Sequence, residues 1–201
     1  MISWDDVARA LKGREPIRAR TDAPRAAVAL LLRDGVPGGI ELLFIRRAEH
    51  EKDPWSGHMG FPGGRAEPGD ADLEATAVRE TREETGLDLA RNGERLGALD
   101  EVKALARGRP VDLVIAPTVF RLRHRLDGAP SHEVVSLHWL PLTRLLAPEV
   151  RSTLQYQHEE TVLELPCLRI DDLVIWGLTY RMFESLASLL GNLPRQRPDT
   201  S

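Results

Sequence analysis

The chain has 201 residues, of which 42% are hydrophobic and 29% are charged, a composition typical of a folded globular protein and unlike that of a disordered chain. Its net charge of −4 provides no overall attraction to nucleic acid or to an anionic membrane, so we expect neither as a partner. No apolar run approaches the ~20 residues needed to cross a bilayer, and residues 1–6 lack the basic start of a signal peptide, which predicts a cytoplasmic protein.

The first predicted element is a short helix that starts after Ser3, where Asp6 completes a capping pattern, and ends before Gly13. The following stretch up to residue 24 is basic and contains prolines, so residues 1–24 are predicted to form an N-terminal helix and a connector. The main domain is predicted over residues 25–193, and the polar tail 194–201 is expected to be frayed.

A β-hairpin is predicted at the start of the main domain. Residues 26–32 form a continuous apolar run typical of a buried strand, residues 34–39 form a glycine-rich turn, and residues 40–45 form the returning strand. Residues 46–72 contain several prolines and glycines and show neither a helical nor an alternating period, which predicts a long loop. Loops of this length in a compact domain are usually functional.

Further elements are predicted downstream of this loop. They are a helix over 73–85 ended by Gly86, strands over 111–122 and 134–140, a short helix over 141–146 and an amphipathic helix over 179–190. Cys167 is the single cysteine, so it cannot form an intramolecular disulfide, and its apolar neighbours predict a buried side chain. The apolar stripe of the last helix is expected to pack on the chain's own sheet, with a homodimer interface as the alternative: Met182, Phe183, Leu186, Leu189 and Leu190.

The chemistry is concentrated in the predicted helix 73–85. Glu80, Glu83 and Glu84 fall within an arc of roughly 100° and therefore share one helix face. A solvated acidic face is the alternative, but part of this arc adjoins the less polar side of the helix. Gly63 and Gly64 precede the helix and allow the backbone to approach a ligand closely. Several carboxylates behind a glycine-rich loop indicate a site for a divalent cation and a phosphate.

This stretch resembles the signature of the Nudix hydrolases: a glycine, five residues, an acid, a spacer, and then Arg-Glu-x-x-Glu-Glu-x-Gly and a hydrophobic residue. The matching positions are Gly64, Arg79, Glu80, Glu83, Glu84, Gly86 and Leu87. Three features depart from the pattern: Asp70 stands in place of glutamate, the spacer before Arg79 has eight residues instead of seven, and Thr81 replaces an aliphatic residue.

The resemblance implies an α/β fold, an α/β/α sandwich around a mixed β-sheet, and a metal-dependent pyrophosphatase. It implies that Glu80, Glu83 and Glu84, with a backbone carbonyl of the glycine pair such as that of Gly64, hold Mg²⁺ or Mn²⁺. The ions would clamp a diphosphate and activate a water for attack on phosphorus. Arg79 would orient the glutamates. Three residues stay open as the general base: Glu84, Glu83 and Glu133.

Several features are similar to the coenzyme A diphosphatase branch of the family: the longer spacer, the Phe-Pro-Gly-Gly entrance over 61–64 and the segment 43–48. This likeness implies a small-molecule substrate, coenzyme A or a derivative, cut to 4′-phosphopantetheine and adenosine 3′,5′-bisphosphate. Residues expected to contact it are Arg46, Arg47, Gly63 and Arg65, and Lys52 adds to the local positive charge. The alternatives are hydrolysis of ADP-ribose, dinucleotides or nucleoside triphosphates, and a catalytically silent nucleotide-binding module. The protein is expected to be a monomer or a homodimer.

Overall fold

A computed structural model of the chain describes residues 2–35, 38–50, 55–106, 109–158 and 161–191. Two turn residues of the predicted hairpin, Lys52 and the predicted frayed tail lie outside the described residues. The helices are α1 (Trp4–Leu11), α2 (Leu73–Thr85), α3 (Leu89–Asn92), α4 (Leu142–Leu145) and α5 (Gly177–Gly191). The strands are β1 (Arg25–Asp34), β2 (Ile40–Arg47), β3 (Met59–Gly60), β4 (Gly63–Arg65), β5 (Gly93–Ala98), β6 (Val102–Ala106), β7 (Arg109–Leu122), β8 (Val134–Pro141), β9 (Arg151–His158), β10 (Thr161–Ile170) and β11 (Leu173–Trp176).

Within the described ranges, eight of these strands form one mixed sheet and three form a second sheet. Strand β1 lies at the centre of the first sheet, where it pairs antiparallel with β2 and parallel with β7. The short strand β4 also pairs with β1, and β8 pairs with the far side of β2. The second sheet is antiparallel, with β10 between β9 and β11. The first sheet thus brings β4, which carries the glycine pair, directly onto the central strand.

Strand β1 is buried on both faces because helices cover both sides of the sheet. Leu30 and Leu32 pack in a cluster with residues of α1 and α5, such as Val7 and Phe183. The alternate residue Leu31 packs on the opposite face in a cluster that includes Ala77 of α2. This alternation follows from the period of two along a strand. The predicted α/β/α sandwich with a mixed sheet is confirmed.

Local capping interactions explain where the first two helices start. In α1, the Ser3 hydroxyl accepts a hydrogen bond from the Asp6 amide at 3.2 Å, and the Asp6 carboxylate accepts one from the Ser3 amide at 2.9 Å. In α2, the carboxylate of Asp72 accepts a hydrogen bond from the Ala75 amide at 2.8 Å. Both satisfy backbone donors that the first helical turn leaves unpaired. The predictions of these two helices are confirmed, as is the hairpin of β1 and β2.

Two parts of the fold differ from the prediction. Residues 46–72 do not form one continuous loop, because β3 pairs with β2 and β4 pairs with β1. The second sheet and the strands β5 and β6 had no counterpart in the prediction. Most residues of β5 and of the first half of β10 are exposed or half-buried, so these segments lack the apolar run of a buried strand. Cys167 lies on β10 with 1% of its surface exposed, which confirms the predicted burial. None of the helices that the structure describes has the length and apolar character needed to span a bilayer.

The apolar stripe of α5 packs inside the chain, as predicted: Met182, Phe183, Leu186 and Leu190 are buried, and Leu189 is partly buried. We expect Leu186→Ala to destabilise the fold by about 2–5 kcal/mol, because the deletion leaves a cavity in a fully buried position. The exposed Ser188→Ala on the same helix is the matched control. Thermal unfolding at several protein concentrations measures both variants. A Tm that rises with concentration, and loses that dependence in Leu186→Ala, would instead place the helix in a dimer interface.

Candidate active site

A cavity of about 840 Å³ lies between the glycine pair, α2, the second sheet and the start of α5. Gly63 and Gly64 border it, together with the carboxylates of Glu80, Glu84 and Glu133. The helix and the loop that sequence analysis singled out therefore meet at one end of a single cavity. This volume is in the range of small-molecule sites in proteins.

Glu84 is the buried carboxylate of the site, with 3% of its surface exposed. One of its carboxylate oxygens, Oε2, accepts a hydrogen bond from the amide of Gly63 at 2.8 Å, and Oε1 lies 3.7 Å from Nη1 of Arg47. Burial raises the pKa of Glu84 to about 7; the Gly63 amide and Arg47 oppose this rise, whereas Glu80 and Glu133 add to it. Glu84 is thus a carboxylate whose charge is poorly compensated in the protein alone.

Glu80 lies one helical turn before Glu84 and directly against Gly64. A Cβ atom built on Gly64 would overlap Oε1 of Glu80 and lie 2.5 Å from its Cδ. Gly64 is therefore required for the close approach of the carboxylate to the β4 backbone. Burial raises the pKa of Glu80, a hydrogen bond from Arg79 lowers it, and the charges of Glu83 and Glu133 raise it further.

Gly63 is held on the central strand by a tight backbone contact. Its φ is 153°, and a Cβ atom there would lie 2.6 Å from Cα of Val28 and overlap the carbonyl oxygen of Ala27. This contact is part of the β4–β1 pairing, in which Val28 is opposite Gly63. The absence of a side chain lets the Gly63 amide reach Glu84. Gly63 thus donates a hydrogen bond to the carboxylate of Glu84, whereas Gly64 leaves space for the carboxylate of Glu80.

Arg79 connects the loop to the acidic face of α2. Its guanidinium donates two hydrogen bonds of 3.0 Å to Asp70, one to Glu80 at 2.9 Å and one to Glu83 at 3.0 Å. It also donates to the carbonyl oxygen of Arg65 at 3.1 Å. These contacts hold the pKa of Asp70 well below its usual range. Asp70 was not among the predicted site residues, although its position in the signature was the available signal.

The other two candidate bases lie in different surroundings. The side chain of Glu83 is 58% exposed, contacts Arg79 and does not line the cavity. Glu133 also lines the cavity, at the end of a loop that is tied to α2. The amide of Ala129 donates to the carbonyl oxygen of Thr85, and the amide of Ser131 donates to that of Glu84. The structure therefore brings Glu133 and Glu84 together but leaves Glu83 at the rim.

The predicted substrate-binding arginines also separate. Arg47 and Arg65 border the cavity, whereas Arg46 is exposed and does not line it. The pairing of β2 with β8 is irregular between the two adjacent arginines, and only Arg47 of the two lines the cavity. Substrate binding by Arg47, Gly63 and Arg65 stays a prediction that their position supports, and the same role for Arg46 has no such support.

Among the described residues, no group of three or more His, Cys, Asp and Glu side chains is already arranged around a common point for a metal ion. Here Glu80 and Glu83 point to Arg79 instead. The donor set nevertheless fits Mg²⁺ or Mn²⁺, because it consists of oxygens: the carboxylates of Glu80, Glu84 and Glu133 and the backbone of Gly64. A cation would also compensate the buried charge of Glu84, which burial now disfavours.

Comparison with known proteins agrees with this geometry. The model of the NUDIX domain matches residues 23–162. The chain is 31% identical over 183 residues to mitochondrial coenzyme A diphosphatase NUDT8 of Mus musculus, which covers 87% of this chain and 80% of that protein. It is 38% identical over 117 residues to the uncharacterized protein C14C4.10c of Schizosaccharomyces pombe, covering 57% of this chain but 36% of that longer protein. A MutT/nudix family protein from Enterococcus faecalis has the same fold, with a TM-score of 0.58, 18% identity, and coverage of 94% and 70% of the two chains.

Proposed function

This chain belongs to the Nudix family, and we propose that it hydrolyses the diphosphate of coenzyme A or its derivatives with the help of Mg²⁺ or Mn²⁺. The products would be 4′-phosphopantetheine and adenosine 3′,5′-bisphosphate. The observation that carries this proposal is that Glu80, Glu84 and Glu133 line the same cavity as the Gly63–Gly64 backbone, which contacts two of these carboxylates. A monomeric or homodimeric state and a cytoplasmic location stay predictions.

Each residue of the site has a distinct part in this proposal. Glu80, Glu84 and the carbonyl of Gly64 would hold the cation. When bound, the cation would neutralise negative charge on the diphosphate and lower the pKa of a bound water. Arg79 holds the carboxylates of Glu80 and Glu83 near the loop, and therefore acts as a positioning residue. The amide of Gly63 fixes one oxygen of Glu84 at 2.8 Å, which leaves the other oxygen directed toward Arg47 and the cavity.

The general base must reach the attacking water. Glu83 does not line the cavity, and its carboxylate is engaged by Arg79. Glu84 of α2 and Glu133 of the loop before β8 both line the cavity. We therefore restrict the candidates for the base to these two residues.

The choice of coenzyme A is supported by the likeness to the mouse coenzyme A diphosphatase and by the arginines that border the cavity, Arg47 and Arg65. The test is a comparison of kcat/KM for coenzyme A, ADP-ribose, NADH and nucleoside triphosphates, each with Mg²⁺ and with Mn²⁺. We expect coenzyme A to have the highest value. A value for ADP-ribose or a triphosphate that exceeds it about tenfold would assign the chain to another diphosphate substrate, and absence of all turnover would favour a binding module.

Recognition of the 3′-phosphate of coenzyme A should depend on Arg65, which is exposed at the cavity and free to contact a phosphate. We expect dephospho-coenzyme A to be a poorer substrate, and Arg65→Ala to reduce the difference by about tenfold through loss of a charge-assisted hydrogen bond. Arg46→Ala is the matched control, because Arg46 does not line the cavity. The measurement is the ratio of kcat/KM for coenzyme A to kcat/KM for dephospho-coenzyme A in each protein. Equal values for the two substrates in the unmodified protein would contradict 3′-phosphate recognition.

A further inference from the structure

Most strands at the edges of the two sheets are protected against the addition of another strand. An edge strand has unpaired backbone donors and acceptors, and proteins protect it by shortness, by charge or by irregular pairing that bends it. Among the strands that the structure describes, β3, β4 and β11 have four residues or fewer. The edge strands β5, β6 and β8 are longer, but each pairs with its neighbour through an irregular register.

Strand β9 is an edge strand without these protections. It has eight residues and pairs with β10 in an unbroken register of eight residue pairs. In the described part of the chain it pairs with no other strand. Residues 152–157 have the sequence Ser-Thr-Leu-Gln-Tyr-Gln, which contains no charged residue, no proline and no glycine. The strand therefore offers a regular, uncharged edge to which another extended segment can add.

The two faces of β9 define what an added strand must carry. Leu154 and Tyr156 are half-buried and share one face of the second sheet, because side chains alternate along a strand. Thr153, Gln155 and Gln157 lie on the other face and are exposed. A matching strand must therefore bring apolar side chains to one face and uncharged polar side chains to the other.

A second copy of β9 meets both requirements when it lies antiparallel to the first. If Gln155 of the two copies meets at a two-fold axis, Leu154 of each copy is opposite Tyr156 of the other, and Thr153 is opposite Gln157. Residues that are directly opposite in an antiparallel pair share a face and interact. We propose that the β9 edges of two copies pair in this register, and that the two three-stranded sheets thus form one six-stranded sheet in a homodimer.

This interface is continuous with the cavity of the candidate active site. Tyr156 lines the cavity, and its ring packs against that of Trp176 with a centroid distance of 5.2 Å. In the proposed register, Leu154 of the second copy packs beside this Tyr156. The second copy therefore supports one wall of the cavity.

The test is sedimentation velocity of the full chain over a range of micromolar concentrations. The double variant Thr153→Lys/Gln157→Lys places lysine opposite lysine at two points of the interface, and should raise the dimer Kd at least about tenfold. Thr153→Glu/Gln157→Glu should do the same. An equimolar mixture of the two variants should restore the dimer, because each lysine is then opposite a glutamate. The neighbours of these positions on β10, Pro166 and Val162, are uncharged, so both variants should fold.

Val135→Lys is the matched control, because Val135 is 59% exposed on the edge strand β8. This variant should retain the dimer Kd of the unmodified protein. An unmodified protein that stays monomeric would overturn the proposal, as would a dimer that both double variants retain. A dimer that only Val135→Lys weakens would assign the contact to β8, and two folded double variants that stay monomeric when mixed would overturn the proposed register. None of these readouts depends on hydrolysis, so they test the interface separately from the proposed function.

Discussion

Glu84→Gln is expected to lower kcat on coenzyme A by about a hundredfold or more, equivalent to about 3 kcal/mol of transition-state stabilisation. The amide keeps the size of the side chain and can still accept the hydrogen bond from Gly63, but it removes the charge that would hold the cation. The fold should survive, since the substitution removes a buried charge that burial disfavours and introduces no larger group.

Glu74→Gln is the matched control for this variant, because Glu74 lies in the first turn of the same helix and forms an exposed ion pair with Arg95. Steady-state kinetics at several Mg²⁺ and Mn²⁺ concentrations, together with Tm in EDTA, measure both variants. We expect the control to retain kcat and Glu84→Gln to retain Tm. Full activity of Glu84→Gln at saturating metal would contradict the metal role of this residue.

Alanine at either glycine of the loop is expected to abolish most of the activity, but for different reasons. At Gly64 the new methyl group overlaps the tip of the flexible Glu80 side chain, which can move away, so the fold should remain while kcat falls by about a hundredfold. At Gly63 the methyl group meets the backbone of Ala27 and Val28, which cannot move without loss of the β4–β1 pairing. Gly63→Ala should therefore also lower the Tm.

The two variants are compared by thermal unfolding and by kcat on coenzyme A, with the unmodified protein beside them. A folded Gly64→Ala protein with reduced kcat and an unstable Gly63→Ala protein would support the assignment. Unchanged kcat in Gly64→Ala would contradict the claim that the position of Glu80 against the loop matters for turnover. An equal Tm in Gly63→Ala and the unmodified protein would contradict the proposed backbone contact.

The features that could be predicted from the sequence are determined by residues that lie close together in the chain. The capping residues Ser3 and Asp6 define the start of α1, and the buried run of β1 defines the central strand. The shared face of the three glutamates follows from helical spacing alone. Their different burial does not, because packing of α2 against the sheet decides that Glu84 is enclosed while Glu83 is 58% exposed.

The remaining features depend on contacts between distant parts of the chain. Arg46 and Arg47 are adjacent residues of the same type, so the sequence does not distinguish their roles. In the structure, the pairing of β2 is irregular between them, and only Arg47 of the two lines the cavity. The cavity is lined by Tyr156 of β9 and by Met182 of α5, and neither segment alone shows that it borders a cavity. Trp176 of β11, which pairs with β10, lines the same cavity.

Product identification tests the central claim most directly. Coenzyme A is incubated with the full chain and Mg²⁺, and the products are separated and identified by mass spectrometry, with EDTA and Glu84→Gln as parallel controls. The predicted result is equal amounts of 4′-phosphopantetheine and adenosine 3′,5′-bisphosphate, suppressed in both controls. Intact coenzyme A in a preparation that hydrolyses ADP-ribose or a nucleoside triphosphate, or cleavage that persists in EDTA, would contradict the account.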